Sequence, residues 1–118
     1  MSKLLIVDDE VAILEALTDI LSVEGYEVAT AANGAEGLKR AGEARPDLIL
    51  LDLMMPVMDG QEMLRRLKES PDLRTIPVVV MSAGRVSKSE LQGSRFLAKP
   101  FELDDLLDTV SAELNRVH

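Results

Sequence analysis

The chain has 118 residues, 47% apolar and 29% charged, which suits one globular domain able to bury a single core. A formal net charge of −8, one Tyr, two Phe and no Trp argue against direct nucleic-acid binding, which needs clustered cations or stacking platforms. The lack of Cys excludes disulfides and thiolate metal sites, and the single His, His118, leaves no basis for His-based catalysis or a His-rich metal site.

The N-terminus, MSKLLIVDDE, holds a short apolar patch closed at once by three acids, so it does not read as a signal peptide. Leu4-Leu5-Ile6-Val7 predicts a first strand that stops at Asp8. Val11, Leu14, Leu17 and Leu21, with Ile13, Ala16 and Ile20 beside them, follow at helical spacing, and Gly25 stands where a helix C-cap glycine belongs. Residues 26–31 alternate in size, as in a half-buried strand near a sheet edge. Asn33-Gly34 marks a turn, 35–44 an Ala-rich helix, and Arg45-Pro46 its end.

The alternation continues. Residues 48–51 predict a third strand. Residues 61–69 predict a helix with Met63, Leu64 and Leu67 inward, and the stretch from Ser70 to Ile76 a loop. Val78-Val79-Val80-Met81 predicts the fourth strand, 87–91 only a brief helix, and Phe96-Leu97-Ala98 the fifth strand. The last helix carries Leu103, Leu106, Leu107, Val110, Leu114 and Val117 on one side. No apolar run approaches the roughly 20 residues needed to span a bilayer, so membrane insertion is not expected and a cytoplasmic location is. No linker or repeat interrupts the chain, so residues 1–118 are expected to form one domain.

Five β-then-α units with strands apolar on both faces predict an α/β, doubly wound, flavodoxin-like fold. Its parallel sheet has five strands in order 2-1-3-4-5, helices on both faces, and a shortened fourth helix. Such sheets bind ligands beyond the carboxyl ends of the strands where the order reverses, here between strands one and three. Strand one delivers Asp8 and Asp9, strand three Asp52, strand four Ser82 and strand five Lys99, all on one rim. Singly, each is an ordinary solvated strand end; their joint placement calls for more. Like charges about 4 Å apart repel by roughly 4 kcal/mol per pair at an effective dielectric near 20, so a cation or a proton should sit among the acids. An all-oxygen donor set favours a hard ion, Mg²⁺ before Ca²⁺. A carboxylate nucleophile, a metal, a hydroxyl and a Lys are the parts needed for phosphoryl transfer to Asp.

VDDE at 7–10, LDLMMPVMDG at 51–60, MSA at 81–83 and AKPF at 98–101 resemble, together and in order along the whole chain, the motifs of response-regulator receiver domains of two-component signalling. The resemblance implies that Asp52 accepts a phosphoryl group from a histidine kinase or a histidine phosphotransfer protein. It implies that Asp9 and Asp52 ligate Mg²⁺ with the Met54 backbone carbonyl, Asp8 acting mainly through a bound water. Ser82 matches the hydroxyl residue that moves toward the phosphoryl group, Lys99 the Lys that pairs with it, and Phe96 the switch aromatic. Lys99-Pro100 resembles the family's cis peptide. A downstream protein target is implied, and the domain would catalyse its own phosphorylation and dephosphorylation without being a turnover enzyme on external substrates. Met54, Met55 and Pro56 are expected to fold apolar bulk over the rim, and Gly60 to permit the turn into the next helix.

Other readings fit less well. A flavodoxin-type cofactor site needs a phosphate-cradling loop after strand one, where Asp8-Asp9-Glu10 would repel phosphate. A haloacid-dehalogenase-type phosphatase wants a second Asp where Met54 stands, and no P-loop motif is present. The alternative from another class is a pseudo-receiver, a protein-binding module that works without phosphorylation. In its favour, Lys99 follows Ser82 by 17 positions, fewer than the family pattern, with the shortening in 84–94. That segment is expected to nucleate helix poorly. The predicted last helix runs to the end of the sequence, so no DNA-binding or catalytic output domain is expected within it.

Overall fold

A computed structural model describes residues 2–55 and 58–115. Five strands, β1 (Lys3–Val7), β2 (Glu27–Ala31), β3 (Leu48–Asp52), β4 (Val78–Ser82) and β5 (Arg95–Ala98), alternate with helices α1 (Val11–Val23), α2 (Gly34–Ala44), α3 (Gly60–Glu69), α4 (Lys88–Leu91) and α5 (Leu103–Asn115). All neighbouring strands pair in parallel, in the order β2-β1-β3-β4-β5. The topology is the expected one.

Each central strand buries both faces, because alternate side chains enter two separate cores. Leu5, Val7, Ile49, Leu51, Val78 and Val80 meet Ala41 of α2 and Met63, Leu64 and Leu67 of α3 on one side. Leu4, Ile6, Leu48, Leu50, Val79 and Met81 meet Leu14, Leu17 and Leu21 of α1 and Leu106 and Val110 of α5 on the other. This two-sided burial is why the central strands read as continuous apolar runs instead of alternating ones. β2, at the edge, is only partly buried. Leu103, expected on the inner face of the last helix, is exposed at the first turn of α5, and Leu107 and Leu114 are half-buried. Val117 falls outside the described residues.

Local signals close the helices. Gly25, at φ +93°, follows α1; its N–H and that of Tyr26 donate to the carbonyls of Ser22 and Leu21, a Schellman ending. Asn33 and Asp59 accept from the N–H groups of Glu36 and Glu62 and so cap α2 and α3. Gly60 serves a different purpose from the turn expected of it. A Cβ there would overlap the Asp52 carbonyl and stand 2.5 Å from Leu53 Cα, so glycine lets the start of α3 press against the backbone of the β3 end. Among the described residues no helix is long and apolar enough to cross a membrane.

Candidate functional site

The carboxyl ends of β1, β3, β4 and β5 converge on one rim. Asp8 follows β1 and is fully buried; Asp52 ends β3 and is 4% exposed; Asp9 is exposed. One carboxylate oxygen from each of the three lies within 4.8 Å of the others. Local backbone fixes two of these side chains. Asp8 Oδ1 accepts from the Glu10 N–H at 2.9 Å, and Asp52 Oδ1 from the Met54 N–H at 3.2 Å.

Lys99 reaches into the same group. Its Nζ donates to Asp8 Oδ2 at 2.6 Å and stands 3.6 Å from Asp52 Oδ2. In this geometry the closer partner of Lys99 is Asp8, a pairing that spacing along the chain does not signal. The lysine is placed by the sheet: Ser82 is in register with Ala98, and the Lys99 N–H donates to the Ser82 carbonyl at 2.9 Å. The Lys99-Pro100 peptide is cis, as expected. Ser82 is buried, and its Oγ accepts from the Gly84 N–H at 3.2 Å.

The electrostatics follow from burial and crowding. Loss of water raises the Asp52 carboxyl above its ordinary value, and the neighbouring Asp8 and Asp9 add to that, against the Met54 N–H and the Lys99 ammonium. Burial on its own would lower the Lys99 ammonium, but the hydrogen bond and charge of Asp8, with Asp52 and Glu10, outweigh it and hold the group above its ordinary value. The Lys99 ammonium thus stands against the clustered carboxylates of Asp8, Asp9 and Asp52. Three convergent carboxylates, with no His or thiolate among them, fit a hard divalent ion and leave room for water ligands.

An open cavity of about 490 Å³ stands over this rim, lined by Asp9, Asp52, Met54, Ser82 and Lys99 together with residues of the β4–α4 loop. The Met54 side chain is 75% exposed and Met55 is buried, so only Met54 lies at the cavity, while Pro56 falls outside the described residues. Phe96, on β5, is 36% exposed and lies outside the cavity. Among the cavity-wall residues that the sequence does not single out are Gln61 and Glu90, whose side chains hydrogen-bond at 2.5 Å. Half of that pair was legible: Ser87-x-x-Glu90 is a capping-box pattern, and the box is formed.

Sequence comparison matches residues 4–111 to the response regulator receiver domain. The chain belongs to the response regulator receiver family. As a receiver domain of two-component signalling it is 41% identical, over 97% of its length, to the transcriptional regulatory protein PrrA of Mycobacterium tuberculosis, of which the match covers 50%. It is 38% identical over 97% of its length to the response regulator MprA of Mycobacterium leprae, covering 51% of that protein. The chain therefore spans about half the length of these curated relatives. Its structure resembles Vibrio cholerae chemotaxis protein CheY4, with a TM-score of 0.88 at 35% identity, covering 100% of this chain and 99% of that one. The receiver domain of the Francisella response regulator 1452 superposes with a TM-score of 0.90 at 28% identity, each chain covered in full at 100%.

Proposed function

We propose that this receiver domain is a phosphorylation switch in the cytoplasm, with Asp52 as phosphoacceptor and a histidine kinase or histidine phosphotransfer protein as donor. The observation that carries the reading is the convergence of Asp8, Asp9 and Asp52 oxygens within 4.8 Å, with the Lys99 ammonium against them. In the transfer, one Asp52 oxygen forms the new P–O bond as the P–N bond to the donor imidazole breaks, and the electron pair leaves on the imidazole nitrogen. Asp52 suits this role because its strand end is clamped by the Met54 N–H and by the close approach of Gly60.

Asp9 and Asp52 would hold Mg²⁺ directly with the Met54 carbonyl, and Asp8 through water. The ion, when bound, would supply charge neutralisation for the phosphoryl oxygens. Lys99 would share that task by leaving Asp8 for a phosphoryl oxygen, and Ser82 would turn from the Gly84 N–H to donate to another. Phe96, on the strand in register with β4, would repack as Ser82 moves and so alter the face offered to a downstream protein. The domain acts on itself and turns over no external substrate.

Incubation with acetyl phosphate and Mg²⁺, followed by intact-mass measurement, tests this. One phosphoryl group should appear, and Asp52→Ala should acquire none. Equal labelling of that variant would overturn the assignment, and a parent protein that never labels would favour the phosphorylation-independent pseudo-receiver.

A further inference from the structure

The hydrogen bond between Gln61 and Glu90 joins the two walls of the Asp52 cavity. Gln61 is the second residue of α3, and that end of α3 is pinned to the phosphoacceptor strand. The Gly60 N–H donates to the Leu53 carbonyl at 3.0 Å, and Gly60 packs on the Asp52 carbonyl. Glu90 belongs to the opposite wall, which runs from Ser82 through the β4–α4 loop into α4.

That second wall has little else to hold it. α4 has four residues, too few to persist as an isolated helix. Val86 and Leu91 are only partly buried against the core, and a Cβ at Gly84 would meet nothing within 4 Å. Glu90 uses both of its oxygens. Oε1 accepts from the Ser87 N–H at 3.1 Å, closing the capping box and fixing the far end of the loop that starts at Ser82. Oε2 accepts from Gln61 Nε2 at 2.5 Å. One carboxylate therefore orders the loop and ties it to α3.

We propose that Gln61 and Glu90 are a positioning pair that clasps the mouth of the Asp52 cavity. By holding the loop after Ser82 over the site, they limit the approach of a small phosphodonor and of hydrolytic water. The proposal rests on Asp52 being the phosphoacceptor. Breaking the clasp then widens the mouth and raises both rates together. Phosphorylation itself loads the clasp, because an aspartyl phosphate adds negative charge to the cavity that Glu90 lines.

The experiment follows labelling by acetyl phosphate and Mg²⁺, and loss of the label after donor removal, in the full chain. The parent is compared with Gln61→Leu, with Gln61→Glu, which sets two carboxylates face to face, and with the exchanged pair Gln61→Glu/Glu90→Gln. In the exchanged pair an amide at 90 still accepts from Ser87 and donates to the carboxylate at 61. Both rates should rise roughly threefold to tenfold in the two single variants, the net scale of one solvent-exposed hydrogen bond, and return to parental values in the exchanged pair. Melting temperatures are recorded alongside, since rates that merely follow stability would overturn the clasp. Labelling with parental rates in both single variants would overturn it too. No labelling in the parent itself would remove the Asp52 reading, and the clasp's role with it, a result distinct from normal labelling at unchanged rates.

Discussion

Lys99→Met offers a quantitative test of how the rim is held together. The ammonium stands 2.6 Å from Asp8 Oδ2 and 3.6 Å from Asp52 Oδ2. At an effective dielectric of about 20 these distances correspond to roughly 6 and 5 kcal/mol of Coulomb attraction, offset by the desolvation of the groups involved. Methionine keeps the length and apolar stem of the side chain but removes the charge. Asp8, fully buried, is then left beside two like charges whose oxygens lie within 4.8 Å. Each such pair repels by roughly 3.5 kcal/mol on the same scale.

Removing one partner of a buried ion pair costs about 3–5 kcal/mol. For a domain of this size that corresponds to a fall in melting temperature of roughly 12–20 °C. Thermal and urea unfolding in EDTA measure the loss directly. Two further results separate charge from packing. Mg²⁺ should recover part of the stability, and adding Asp8→Asn should recover more, because the fully buried carboxylate is then gone and Asp52, itself buried, loses a like-charged neighbour. A loss below about 1 kcal/mol in EDTA, the value of an ordinary surface ion pair, would refute the reasoning. So would a double variant no more stable than Lys99→Met alone.

Mg²⁺ should raise the melting temperature of the parent by relieving repulsion among Asp8, Asp9 and Asp52, and Asp9→Asn should blunt that rise; an undiminished response would argue against Asp9 as a ligand. Met54→Asn should hasten loss of the phosphoryl group, since an amide at the cavity mouth can orient water where the exposed thioether side chain cannot; an equal or longer lifetime would remove that role from Met54. Gly60→Ala should destabilise by about 3 kcal/mol or more in urea titrations, because the added methyl meets backbone that cannot yield. Gly42→Ala, where a Cβ meets nothing within 4 Å inside α2, should instead stabilise by about 0.5–1 kcal/mol.

The parts of the fold that were legible in the sequence are those with a period or a punctuation mark. Strands buried on both faces appear as unbroken runs at 4–7, 48–51 and 78–81, and each run ends in the polar residue that reaches the rim. Given the order β2-β1-β3-β4-β5, the residues that follow or end these runs, Asp8, Asp52 and Ser82, meet Lys99 after β5 on one rim. What stayed hidden has no such mark. The pairing of Lys99 with Asp8 depends on side-chain reach within the rim, and the Gln61–Glu90 bond joins residues 29 positions apart on two different helices. The tight packing of Gly60 is invisible because a glycine needed for close approach looks the same as one needed for a turn. Leu103 kept the helical spacing of α5, but its place in the first turn carries it past the edge of the core.

The short segment 84–94 shows why the chemistry of the rim and the surface beside it can vary separately. Lys99 depends on no particular length of chain after Ser82, because its position is set by the pairing of β5 with β4. Val79, Val80, Met81 and Ser82 face Arg95, Phe96, Leu97 and Ala98 in turn, and the next N–H returns to the Ser82 carbonyl. A short connection between the two strands is therefore accommodated by an α4 of only four residues, and the lysine still arrives at Asp8 and Asp52. The cost falls on the outer surface. A four-residue helix gives up most of the apolar face by which a longer one would dock, and the capping box and the bond to Gln61 make up part of that loss with polar contacts. Polar contacts at a solvent-facing mouth are individually weak and respond to charge. α4, the helix with no buried residue, therefore also carries a carboxylate at the cavity to which phosphorylation of Asp52 would add charge.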